Sequence, residues 1–354
     1  MARTKDDLVE HPEYFVINRQ SFISQSGVTQ TEMDAYLATL STSMEDLSRV
    51  LALQRPADPR FDFIPFRTWP LYLLKDGNFA CVDPTFLIDK YYGGVHWTIH
   101  DRISESERDD LFKAWGRLFE HYVHWLLIGM KRSTAAFFPF PKWDGGEESF
   151  DGAFLRESLF IPMEYKGGFL SQAAKYSQQV DTLTGELEQK FVPGCQQLAV
   201  KLAAAFNANP KMRKTLPGLP LHHVKRILPL LIVQDSAFNG PLLNWWLNRR
   251  FREILATYSI PSTIEVLPLN VVHIDVLETL VETAETAPGF DFIYALHHKA
   301  VRDPQMIDQL HNFMFMFPAY GRDRAPRMVQ LAKDVEQEFV SYLFPRESKI
   351  NPQS

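Results

Sequence analysis

The spacing of apolar residues along the chain predicts a succession of short amphipathic elements. Between Thr29 and Leu53, Met33, Tyr36, Leu37, Leu40, Met44, Leu47, Val50 and Leu51 recur at three- and four-residue intervals. This fits a helix pair broken near Ser41, Thr42 and Ser43 and ended by Pro56 and Pro59. Leu71–Leu74 and Asn78–Val82 flank Lys75, Asp76 and Gly77, a hairpin signal, and Asp83-Pro84 opens a helix over Thr85–Tyr91. A long helix over Glu107–Met130 carries Leu111, Phe112, Trp115, Phe119, Tyr122, Leu126 and Leu127 as a broad apolar stripe.

Beyond the Pro- and Gly-rich stretch with Pro139, Pro141, Gly145 and Gly146, the period changes. Phe150–Leu155 and Leu159–Tyr165 are strand-length apolar runs separated by Arg156, Glu157 and Ser158, which predicts a hairpin. Helices follow over Ser171–Thr182 and Gln196–Ala205, then a strand over Ile227–Val233 with Pro229 near its start. A helix over Leu242–Thr257, strands over Thr263–Val266 and Asn270–Ile274, and helices from Asp275 onward complete the chain, with a polar tail over Arg346–Ser354. The expected organisation is an N-terminal α+β unit over 1–105, an α/β core over 106–275 with a mixed sheet flanked by helices on both faces, and a helical C-terminal extension over 276–354.

Composition narrows the class. The 354 residues are 45% hydrophobic and 23% charged, the balance of an ordinary globular chain rather than a disordered or collagenous one. The cysteines Cys81 and Cys195 stand in no CxxC or Cys/His cluster and read as small buried hydrophobes. The charged N-terminus lacks an apolar segment and no stretch reaches membrane-span length, so the expected location is the cytoplasm, without membrane association. The formal charge of -6 gives no global attraction to nucleic acid, which leaves such contacts to local clusters. Those are Lys131-Arg132, Arg213-Lys214, Lys225-Arg226, Arg249-Arg250 with Arg252, and Arg322, Arg324 and Arg327. The adjacent pairs His222-His223 and His297-His298 lack shared-metal geometry. No phosphate-binding GxxxxGK[ST], GxGxxG or GxSxG pattern is present.

The chemistry concentrates in the hairpin. If it turns on Glu157 and Ser158, facing residue numbers sum to 315, which sets Asp151 opposite Glu164, with side chains about 5 Å apart. Lys166, two residues beyond Glu164, projects from the same face. Facing carboxylates repel, so this placement calls for a cation. A hard divalent ion accepts one or two carboxylates with waters and phosphate oxygens, and a neighbouring lysine can position a water nucleophile. The structural alternative is a solvated strand on which Lys166 neutralises Glu164.

Asp151 followed by Glu164-x-Lys166 at a strand end resembles the PD-(D/E)xK nuclease superfamily. Phe150 stands where that family carries a proline. The resemblance implies a restriction-endonuclease-like fold and a magnesium-dependent nuclease, with manganese able to substitute. It implies metal ligation by Asp151, Glu164 and the carbonyl of Tyr165, water positioning by Lys166, and products with 5′-phosphate and 3′-hydroxyl ends. Glu120, on the long helix beside Gly116, Val123 and Leu127, matches the additional glutamate of many relatives, which reaches the metal directly or through water; a salt bridge to Arg117 or a hydrogen bond to His124 is the alternative. Gln172 and Tyr176 resemble the Gln-x-x-x-Tyr element of the RecB-type subgroup and would face a DNA backbone or the lysine, with Gln196-Gln197 a similar candidate. Arg249 and Arg250, following Trp245-Trp246, are the substrate-binding candidates among the basic clusters. The implied partner is nucleic acid, most simply DNA, in a restriction, repair or antiviral defence setting. A homodimer would suit cutting of both strands, and a partner protein subunit is a further expectation. The competing readings are a non-catalytic nucleic-acid-binding or scaffold subunit, and an unrelated α/β protein with a chance Glu-x-Lys.

Overall fold

The computed structural model describes residues 16–17, 29–53, 64–81, 83–92, 94–129, 135–177, 179–307, 310–317, 321 and 323–343. Pro56, Pro59, Val82, Met130, the Lys131-Arg132 cluster, Arg322 and the tail over Arg346–Ser354 lie outside the described residues. The chain forms two compact units, one of 1–108, 172–179 and 330–354, the other of 109–171 and 180–329.

In the first unit the break between the two expected helices is itself a strand. Helices Gln30–Leu40 and Met44–Leu53 flank Ser41–Ser43, which pairs in parallel with Leu71–Leu73. Thr29 caps the first helix reciprocally with Glu32, satisfying N–H groups the helix cannot. With β1 (Val16–Ile17), β2 (Ser41–Ser43), β3 (Leu71–Leu73) and β4 (Phe79–Cys81), the sheet order is β1-β4-β3-β2. The β3–β4 hairpin turns through Gly77 at φ 84°, a conformation open to glycine. Met33, Leu37, Leu40, Leu71, Phe79 and Cys81 close the core of this unit.

The second unit is built on a mixed sheet. Strands β5 (Ala136–Pro139), β6 (Gly152–Arg156) and β7 (Leu159–Lys166) run antiparallel. The β6–β7 register pairs Gly152 with Met163 and Arg156 with Leu159, the expected sum of 315. The strand expected over Ile227–Val233 is instead split into β8 (Arg226–Ile227) and β9 (Leu230–Val233), both parallel to β7. Pro229, lacking an N–H, interrupts the ladder between them. The next strand divides likewise, β10 (Glu265–Val266) pairing with β8 and β11 (Asn270–His273) with β9. β7 is therefore central, antiparallel to one neighbour and parallel to the other.

Helices cover both faces, as expected. On one, α1 (Glu105–Ile128) buries Phe119, Val123, Leu126 and Leu127 against Ile161, Met163 and Tyr165 of β7. The segment expected as a C-terminal extension joins this same core through Leu277, Leu280 and Val281, and through Phe292 and Leu296. On the other face, after α2 (Val180–Lys190), α3 (Val192–Ala205) packs on β7, where Gly194 admits the side chains of Leu231 and Lys166. α4 (Pro241–Leu255) packs on α3, and α5 (Ile274–Thr286) and α6 (Phe292–Arg302) complete the labelled helices. The helix expected over Ser171–Thr182 is two helices, Gln172–Tyr176 and α2, of which the first belongs to the other unit.

Candidate active site

The parallel strands β7, β9 and β11 end in register at Lys166, Val233 and His273. Ligands of α/β sheets gather at such carboxyl ends. Alternation along β7 sends Ile161, Met163 and Tyr165 into the α1 core and leaves Glu164 and Lys166 on the α3 side. Asp151 sits just beyond the last ladder pair, Gly152–Met163: its N–H also donates to the carbonyl of Met163, at 3.1 Å, which keeps it at the Glu164 end of β7.

Each group has a defined neighbour. The Tyr165 N–H donates to Asp151 Oδ2 at 2.8 Å, fixing that carboxylate at the strand end. Glu164 is 1% exposed and accepts from Lys201 Nζ, and the same ammonium lies 4.0 Å from Asp151 Oδ1. Lys166 Nζ donates to Gln197 Oε1 at 2.6 Å on the solvent-facing side. Gln197 and Lys201 are four apart on α3 and so share a face, one turn of helix meeting both ends of the cluster. Burial and Asp151 push the Glu164 carboxyl up to about 8, outweighing the pull of Lys201 and Lys166.

Glu120, half-buried on α1, is raised by burial first and by Asp151 next, with Lys166 opposing. It therefore senses the hairpin end electrostatically, and three carboxylates face two ammonium groups there. One turn on, His124 Nε2 donates to the backbone carbonyl of Asp151 at 2.7 Å, and burial holds its imidazole below the ordinary range, neutral. The Tyr165 ring lies against His124, with centroids 5.4 Å apart, which directs this side chain into the core. Among the described residues no three of His, Cys, Asp and Glu converge as a ready-made metal cage. The hard oxygens of Asp151 and Glu164 nonetheless suit a divalent ion completed by water and phosphate.

The remaining candidates have local partners of their own. Gln172 and Tyr176 belong to the first unit, where Thr68 Oγ1 donates to Gln172 Oε1 at 3.5 Å and the Arg67 guanidinium stands 4.4 Å over the Tyr176 ring. Arg249 pairs with Glu253 at 3.0 Å, and Arg250 with Glu188 and Glu253 at 2.8 and 2.6 Å. Lys214, Arg226 and Arg324 are paired with Glu147, Glu265 and Glu282, so each of these clusters is neutralised in part. The sequence reading missed Lys201; the i, i+4 spacing of Gln197 and Lys201 after the Glu-x-Lys strand was its available signal.

No family model matches the chain. No curated protein matches it. Among solved structures the chain is similar to the small subunit, R.BspD6I2, of the heterodimeric restriction endonuclease R.BspD6I, with TM-score 0.26 and 13% identity over 56% of this chain and 87% of that one. Among the described residues, no helix is long and apolar enough to cross a membrane.

Proposed function

We propose that the chain is a metal-dependent nuclease that hydrolyses phosphodiester bonds, with DNA as substrate, built on a restriction-endonuclease-like core. The observation that carries this reading is the β6–β7 register. It supports this reading because Asp151, just beyond the last ladder pair, and the buried Glu164 lie at the same end of the central strand, around Lys201 and beside a half-buried Lys166. Two neighbouring carboxylates call for a cation, which Lys201 supplies from within the chain and a divalent ion would supply in its place.

Asp151, Glu164 and the Tyr165 carbonyl would hold Mg²⁺, or Mn²⁺ in its place. The bound ion supplies a water of lowered pKa and a Lewis acid for the phosphoryl oxygens. The chain's own residues do the rest. Lys166, steadied by Gln197, orients the attacking water and offsets negative charge developing on the phosphate. Glu120 stands behind Asp151, placed to hold a water rather than to complete a three-acid cage. His124 fixes the backbone of Asp151, and with it the angle at which the carboxylate meets Glu164.

The test is cleavage of supercoiled plasmid by wild type and Lys166→Ala in Mg²⁺, Mn²⁺ or EDTA. Metal-dependent nicking by wild type, lowered by about 10²–10⁴ in the variant, is expected. A second reading, a nucleic-acid-binding or scaffold subunit that does not cut, draws on Lys201, which supplies a cation to Glu164 from within the chain. Retained DNA binding with no nicking in any metal would favour it.

A further inference from the structure

Lys201 is not part of the Glu-x-Lys pattern, yet its ammonium lies against both carboxylates. Its ammonium is bonded to Glu164 Oε1 and stands 4.0 Å from Asp151 Oδ1, with the side chain 19% exposed. It comes from the middle of α3, one turn after Gln197, whose side chain takes the Lys166 ammonium. A single helix face therefore supplies an acceptor to the outer lysine and a cation to the inner acids. Any divalent ion held by Asp151 and Glu164 needs oxygens that Lys201 now engages. Two cations confined to that space repel strongly where water is excluded.

We propose that Lys201 is a built-in competitor for the divalent cation: metal entry requires its ammonium to leave the Asp151–Glu164 pair, and so Lys201 sets the metal concentration at which the site fills. The inference rests on the metal-site reading above and deepens it. A lysine whose only task was to neutralise Glu164 in the folded chain would need no second carboxylate beside it. It would also not share a helix face with the partner of Lys166. Withdrawal is a side-chain movement, since a flexible four-carbon stem whose side chain keeps 19% of its surface exposed can swing while α3 stays in place.

The experiment is a calorimetric titration of the full chain with Mn²⁺, without nucleic acid, for wild type, Lys201→Met, Lys201→Gln, Lys201→Arg and Glu164→Gln. Circular dichroism melts would establish that each variant is folded. Removing the competing charge should tighten Mn²⁺ binding by roughly tenfold or more in Lys201→Met, the factor that corresponds to a modest charge-pair coupling. Lys201→Gln keeps a polar side chain if the methionine variant does not fold, and should tighten binding in the same direction. Lys201→Arg should bind as weakly as wild type, and Glu164→Gln should lose binding. Equal or weaker Mn²⁺ affinity in Lys201→Met or Lys201→Gln, with binding still lost in Glu164→Gln, overturns the competitor role and leaves the metal site standing. Equal binding by wild type and Glu164→Gln, or none in any protein, overturns the metal-site reading and the inference with it.

Discussion

Asp235 and Glu164 are both essentially inaccessible carboxylates of the same unit, at 0% and 1% exposure, and they are treated in opposite ways. Asp235 accepts from the N–H of Leu170 at 2.6 Å and from that of Ala237 at 2.8 Å, capping a short 3₁₀ turn and tying it to the segment after β7. These two donors are backbone groups fixed in place. Glu164 lies beside Asp151, and its principal described partner is a flexible lysine from another element. The first arrangement ties segments of the fold together; the second, a like charge and a flexible cation, is the one on which the proposed metal site rests.

The largest expected effects follow from exchanging each acid for a neutral residue. Glu164→Gln should lower metal-dependent plasmid nicking by about 10²–10⁴, as for loss of an essential catalytic group. Its melting temperature at neutral pH should stay level with wild type or rise, because below about 8 the folded Glu164 already holds a proton, glutamine is its neutral counterpart, and folding of the variant needs no proton uptake. Asp235→Ala should do the reverse, costing about 2–4 kcal/mol in a urea melt by stranding the buried Leu170 N–H and the part-buried Ala237 N–H. Its nicking should be normal at temperatures where it remains folded. A stable Asp235→Ala together with a collapsed Glu164→Gln would abolish the distinction between the two acids.

Acidity sharpens the same contrast. The Glu164 carboxyl rises on folding from the ordinary 4.5 to about 8, so between those values the folded chain holds a proton that the unfolded chain has released. Wild-type stability, measured against Glu164→Gln, should therefore be level below pH 4.5 and fall as pH rises toward about 8. A difference that stays flat between those limits, in melts run at matched ionic strength, would mean that Lys201 fully compensates the burial.

Much of this site was legible before the structure was. The hairpin register could be read because Arg156, Glu157 and Ser158 break two apolar runs of strand length, and a register fixes every facing pair at once. The Gln172 and Tyr176 spacing is only a local fact: the five-residue helix that carries them belongs to the first unit, so the hairpin register does not fix their place. Lys201 was hidden by distance, 37 residues from Glu164 in sequence and joined to it only by the packing of α3 on β7. The split at Pro229 was predictable in kind but not in consequence. A missing N–H signals an interruption, whereas pairing of both halves with β7 is a property of the sheet.

A smaller effect probes how the outer lysine is held. A Cβ on Gly194 would lie 2.8 Å from Leu231 Cδ1 and 2.9 Å from Lys166 Cε, so Gly194→Ala must displace the stem that carries the ammonium to Gln197. Nicking should fall roughly tenfold, the scale of a misplaced rather than missing group, with the fold retained. Gly185→Ala is the matched control, since nothing lies within 4 Å of its added methyl on the exposed side of α2. It should leave nicking unchanged and stabilise the chain by about 0.5–1 kcal/mol.

The smallest effect belongs to the other end of the same hairpin. Glu157, exposed in the two-residue turn, sits at φ 52°, where a side chain strains the backbone. Glycine removes that strain and adds freedom to the unfolded chain, so Glu157→Gly should stabilise by the difference, about 0.5–1 kcal/mol. The turn sets the register that brings Asp151 to the Glu164 end of β7, but the register is also fixed by ladder pairs from Gly152–Met163 to Arg156–Leu159. Nicking by Glu157→Gly should therefore match wild type. Lost nicking in a variant that melts higher would show that the turn residue itself, and not the ladder, holds the two carboxylates in register.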